Sequence, residues 1–242
     1  MTWAQVPIEP LRRPEEGPGA YTWRVGLGYT PAGQEGLGVD GLGRPYAYTR
    51  FTQEWRLTLS GTVSLGSWLK AGLELADITT TVEEARSYPF GEERTTSVHR
   101  AFAYSASYEW RLDPKSPWDP RVSLSFGHPW QAGITASASL LRDPVVLVGE
   151  VGLRSQAEEP QGWLSLALGA GFVANAWISL STSASWAIPM DGVGVPATTL
   201  GLRVRYGLDP EGKKEVGVRV ALSVRGERTW LALEVEAAGR GP

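Results

Sequence analysis

The chain has 242 residues, a formal net charge of −3 and 42% hydrophobic residues, which suits one large all-β domain. Its slightly acidic balance gives no electrostatic reason to expect nucleic acid as a partner. The absence of cysteine excludes disulfides, thiolate metal sites and cysteine nucleophiles together.

Turn formers and interface-seeking aromatics are abundant, with 29 Gly, 11 Trp and 8 Tyr. A single Asn, Asn175, and two Met give the composition a thermophile-like cast. Residues 1 to 20 carry Pro7, Pro10, Pro14 and Pro18 among Arg and Glu, so an irregular N-terminal tail or plug is expected. They contain no apolar secretory core. The expectation is an exported chain without its signal peptide, placed in the outer membrane of a diderm bacterium.

From Tyr21 the pattern becomes period two. Tyr21, Trp23, Val25, Leu27 and Tyr29 form one face, against Thr22, Arg24, Gly26 and Gly28. An aromatic at each end of an apolar row suits a strand that crosses a bilayer. Residues 31 to 45 read as a Gly-rich loop. The match of Gly36 to Gly41 to G-x-G-x-x-G is discounted there, because Gly43 and Pro45 leave no room for the helix such a site needs.

The second strand sets Trp55, Leu57, Leu59 and Val63 against Glu54, Arg56, Thr58 and Ser60, and the third sets Leu69, Ala71, Leu73 and Leu75 against Lys70, Gly72 and Glu74. Residues 83 to 96 read as a charged loop. The fourth strand opposes Phe102, Tyr104, Tyr108 and Trp110 to Ser105, Ser107, Glu109 and Arg111.

In the middle of the chain, Ala132, Ile134, Ala136, Ala138 and Leu140 alternate with Gly133, Thr135, Ser137 and Ser139. After a turn at 141 to 144 the alternation restarts, with Glu150 and Arg154 on the polar side. The stretch from Gly162 to Met190 carries no charge, yet a transmembrane helix is excluded. Serine at every second position from Ser179 to Ser185 would coat all sides of a helix but only one face of a strand. Trp186 follows on the apolar face. Three further segments place Tyr206 outward and Arg203, Arg205, Arg219, Glu234 and Glu236 inward.

The count is about twelve strands, most near ten residues, the length of a tilted membrane strand. The fold expected is an all-β, transmembrane, antiparallel up-and-down β-barrel over residues 21–237, with residues 238–242 as a C-terminal tail. A soluble sandwich acting as a binding module is the weaker alternative, because its second face would be rich in solvated Lys, Glu and Thr rather than Gly, Ser, Ala and Arg/Glu pairs.

The stretch RLDPKSPWDPRVSLSFGHPW followed by SASLLRDPVVLVGEVGL resembles the outer-membrane barrel family of the meta-pathway of phenol degradation, related in pattern to the barrels that export functional amyloid. The resemblance covers Arg111 to Leu153 and is sharpest at Asp143-Pro144-Val145-Val146-Leu147. It implies an outer-membrane channel or transporter, with hydrophobic or aromatic small molecules or a secreted polypeptide as cargo. Such barrels usually end on an aromatic residue, whereas this chain ends Gly239-Arg240-Gly241-Pro242.

No enzyme is expected. His99 and His128 have no nucleophilic serine beside them in a recognisable esterase context, and the pairs Glu83/Glu84, Glu92/Glu93 and Glu158/Glu159 read as solvated loop charge. No metal or cofactor is expected.

The alternation assigns to the lumen Arg24, Arg50, Glu54, Arg56, Lys70, Glu74, Glu109, Arg111, Glu150, Arg154, Arg203, Arg205, Arg219, Glu234 and Glu236. It assigns to the membrane interface Tyr21, Trp23, Tyr29, Tyr104, Tyr108, Trp110, Trp186 and Tyr206. Arg203, Arg205 and Arg219 on adjacent strands form a positive stripe expected to favour anions. The expected partner is the lipid bilayer, with a small-molecule cargo; a homo-oligomer, a secretion partner and a purely structural barrel stay open as alternatives.

Overall fold

The structure, a computed structural model, describes residues 18–142, 144–156, 162–175, 177–191, 194–209 and 213–241. The expected tail or plug lies, over residues 1–17, outside the described residues.

The described residues form twelve strands: β1 (Tyr21–Val39), β2 (Pro45–Ser64), β3 (Leu69–Tyr88), β4 (Gly91–Arg111), β5 (Arg121–His128), β6 (Gln131–Arg142), β7 (Val145–Gln156), β8 (Gly162–Val173), β9 (Ile178–Pro189), β10 (Ala197–Gly207), β11 (Lys214–Arg225) and β12 (Arg228–Gly241). Each pairs antiparallel with its neighbours in sequence, and β1 pairs with β12 to close the barrel. Closure removes the free edges that an open sheet would present within a bilayer.

Burial is inverted relative to a soluble domain. Leu27, Leu57 and Leu200 on the outer face are 48%, 52% and 53% exposed, while Arg203, Arg205 and Glu236 on the inner face are 7%, 4% and 3% exposed. A sandwich in water would bury the leucines and solvate the charges. This wall does the reverse, as a barrel in lipid must.

Two elements depart from the sequence reading. The segments 31–45 and 83–96, expected as loops, are mostly strand: β1 to β4 run 19 to 21 residues, against 8 to 14 for β5 to β12. β1 meets β12 only from Tyr21 to Tyr29, and β4 meets β5 only from Tyr104 to Arg111. The outer halves of β1 to β4 therefore continue past the closed ring as a four-stranded extension, on the side opposite the start of β1 and the end of β12.

Pairing holds the extension together. The rings of Tyr46 and Tyr48 lie over Gly38 and Gly36, close enough that a Cβ at either glycine would fall within 3 Å of ring atoms. Gln34 Nε2 donates to the Tyr48 hydroxyl at 2.8 Å. Glu84 accepts from Arg50 Nε at 2.8 Å and Arg86 Nε at 2.6 Å. At the tip, Asp40 Oδ1 accepts from the backbone N–H groups of Leu42 and Arg44 at 2.9 Å each, and Gly43 takes the positive φ of 78° that the turn needs.

The second departure is at the C-terminus. Residues 238–241, expected as a tail, belong to β12 and pair with Tyr21 to Arg24. The physical reason is aromatic cover: Trp23 lies over Gly239 and Tyr21 over Gly241, so the outward face there is supplied by β1 rather than by β12 itself.

Candidate functional site: the charged inner wall

Because side chains alternate across each strand, the inner wall follows from register. On β5 to β9 it is built mainly from small residues, including Ser123, Ser125, Thr135, Ser137, Ser165, Ser181, Ser183 and Ser185. Most of the long charged side chains stand on the wall formed by β10 to β12 and β1 to β4, with Arg121 on β5 and Glu150 and Arg154 on β7 as the additions.

The most buried charges meet at Glu236 on β12. Arg203 Nη2 donates to Glu236 Oε2 at 3.0 Å and Arg205 Nε donates to Oε1 at 3.2 Å. Arg24 Nε on β1 approaches Oε2 to 3.5 Å. Arg205 also lies 3.4 Å from Glu215, and Arg219 lies 3.8 Å from Glu234. The register explains the convergence: Gly217 pairs with both Glu236 and Arg205. A Cβ at Gly217 would sit 2.9 Å from the Glu236 carboxylate and 3.2 Å from Arg205 Cγ, so the glycine is the floor on which this ion cluster lies.

A second cluster stands at the terminal-side mouth. Arg121 Nη1 donates to Glu109 Oε1 at 2.7 Å, and Asp119 accepts from both Arg111 and Arg121. Arg121 escaped the sequence assignment although Arg121, Ser123 and Ser125 alternate against Val122, Leu124 and Phe126, which was the available signal. Glu215, beside Val216, escaped in the same way.

The other inner-wall residues are more dispersed. Glu54 and Arg56 pair at 3.3 Å along β2 near the rim. Lys70 stands opposite Glu109 in the β3–β4 register, and Glu74 stands between Ser60 and Ser105. Glu150 and Arg154 share the inner face of β7. Arg50 does not belong to the closed ring: it sits on the extension, where Arg86 and Arg50 hold the Glu84 carboxyl below the usual carboxylate range. Among the described residues no group of His and carboxylate side chains could hold a metal ion.

The aromatics assigned to the interface all lie on the outer face. Tyr21, Tyr104, Tyr108 and Tyr206 are exposed; Tyr29 packs on Trp55 with ring centroids 4.6 Å apart. Trp177 stacks on Tyr206 at 6.2 Å, and Trp68, Trp118 and Trp177 add exposed rings from the terminal-side turns. On β3 and β4 the apolar band stops where Arg100 Nε donates to Asp77 Oδ1 at 2.9 Å on the outer face. That exposed ion pair ends the apolar band on these two strands.

No family model matches the chain, and no curated protein matches it in sequence. Its structure is similar to those of outer-membrane barrels. The COG4313 outer membrane channel from Pseudomonas putida F1 superimposes with a TM-score of 0.54 at 13% identity, covering 99% of this chain and 100% of that one. The transport unit of the autotransporter AIDA-I from Escherichia coli gives 0.55 at 9% identity, covering 94% and 91%. A Pseudomonas aeruginosa FadL homologue gives 0.51 at 6% identity, covering 91% and 90%. At these identities the likeness shows the fold, a closed antiparallel β-barrel, over nearly the whole chain.

Proposed function

We propose that the chain is a passive channel of the outer membrane for small molecules, without catalytic activity, with both strand termini in the periplasm and the β1–β4 extension outside the cell. The observation that carries this reading is the inner wall itself. An apolar outer band encloses a lining of hydroxyls, glycines and paired Arg and Glu, which is the lining of a solute path rather than of a packed core. Long connections outside and short turns in the periplasm are the usual barrel arrangement, and the long hairpins here all lie on one side.

Twelve strands stand between the roughly eight that side chains fill and the sixteen or more that leave a wide aqueous channel. A narrow path is the outcome. Its cargo is a small molecule with a polar group to meet the charged wall; the aromatic or hydrophobic body implied by the sequence resemblance is compatible with the small-residue wall opposite. Export of a polypeptide has no comparable support, since ion clusters built across β10, β11, β12 and β1 would have to be dismantled.

Proteoliposomes test this. Vesicles containing the folded protein should swell when diluted into iso-osmotic small solutes, at rates that fall steeply with solute size. Vesicles that carry folded protein yet swell no faster than protein-free ones would refute the channel.

A further inference from the structure

We infer that the Glu236 cluster is a binding site for one small anion, a carboxylate or phosphate group, held by Arg24, Arg203 and Arg205 beside the protein's own carboxylate. The inference rests on the channel reading for access but on geometry for the site.

Four guanidiniums, those of Arg24, Arg203, Arg205 and Arg219, face three carboxylates, those of Glu215, Glu234 and Glu236. Among the described residues the cluster therefore carries one uncompensated positive charge. The donors are also incompletely used. Among the described residues, Arg24 Nε, Arg203 Nε and Arg205 Nη2 are buried and find no hydrogen-bond partner, on residues that include two of the most buried, Arg203 at 7% and Arg205 at 4% exposure.

Buried guanidinium N–H groups without acceptors are costly, and the compact remedy is an acceptor that brings negative charge. Glu236 shows the chemistry in place: its two oxygens already take Arg203 and Arg205, in the geometry that suits carboxylate and phosphate alike. A visiting oxyanion would accept from the donors Glu236 leaves over and would neutralise the excess charge. Access runs past Arg24, whose side chain is 28% exposed.

Glu236 also sets the affinity. As the resident carboxylate it competes for the same arginines, so removing its charge while keeping its shape should strengthen binding. A merely structural ion cluster would show no binding in the parent protein, where Glu236 is charged.

The test is calorimetric titration of the full chain, folded in detergent at low salt, with sodium phosphate and separately with sodium acetate. Binding of either probe is expected, the preference between them reporting which oxyanion fits. Arg203→Gln should weaken it about ten-fold, the worth of one charge-assisted hydrogen bond, and Glu236→Gln should strengthen it several-fold. Should Arg203→Gln fail to fold, Arg24→Gln at the more exposed edge serves the same purpose. Absence of binding in the folded parent protein, or binding that none of these substitutions changes, overturns the site. Conductance in a planar bilayer separates the two claims. Binding without conductance leaves the site standing and removes the channel; conductance without binding does the reverse.

Discussion

Ala106 and Val98 lie on the same outer face of β4, eight residues apart, or roughly 26 Å along the strand at about 3.3 Å per residue. Ala106 stands between Leu73 and Phe126 in the registers of β3 and β5, inside the apolar band. Val98 stands beyond the Asp77–Arg100 pair, is 64% exposed, and has a neighbour only on the β3 side, at Thr81. Replacing each by arginine places the same charge on the same strand in two different solvents. Ala106→Arg should destabilise the folded state by about 3 kcal/mol, the cost of a cation on the lipid face near mid-depth. Val98→Arg should change stability by less than about 0.5 kcal/mol, as a surface substitution in water does. Equilibrium urea titrations in lipid vesicles, followed by the fluorescence of the 11 tryptophans, would measure both. Equal costs at the two positions would refute the division of β4 into membrane and extension.

Two further outcomes follow from contacts described above. Gly217→Ala puts a methyl group against the Glu236 carboxylate and Arg205 Cγ, and should cost about 1 to 3 kcal/mol through overpacking, read by the same titration; no change would mean that the ion cluster shifts freely. The extension should loosen in acid. Arg86 and Arg50 hold the Glu84 carboxyl below its usual value of 4.5, so the stabilisation is complete above the unfolded carboxyl's pKa and is lost as pH falls through the lower folded value. Hydrogen exchange of the β2–β3 amides around Arg50 and Glu84 should therefore gain extra opening at acid pH, and the gain should vanish in Glu84→Gln. Unaltered pH dependence in that variant would contradict the linkage.

What the sequence revealed and what it hid have one physical explanation. The alternation from Tyr21 to Tyr29, or from Ile178 to Trp186, is imposed by two different solvents on the two faces, and so it is written locally in the residues. In the proposed orientation the extension has water on both faces. Its alternation of Gly36 and Gly38 with Leu37 and Val39 is too short and too glycine-rich to read as a strand, and its strand character comes from distant partners: Tyr48 over Gly36, Tyr46 over Gly38, Glu84 between Arg50 and Arg86. The end of β12 was obscured for a similar reason, since the rings covering Gly239 and Gly241 come from Trp23 and Tyr21 at the other end of the chain. Inner-wall membership of Arg24, Arg203 and Glu236 could be read from parity alone. Their convergence could not, because it depends on how β10 and β12 flank β11 at Gly217 and on β1 closing against β12.

Single-channel recording in a planar bilayer tests the central claim most directly. The folded full-length protein should produce discrete conductance steps, with a reversal potential in a salt gradient that favours anions and that moves toward cations when Arg203 and Arg205 are both replaced by glutamate. Protein that inserts and stays electrically silent would contradict the account.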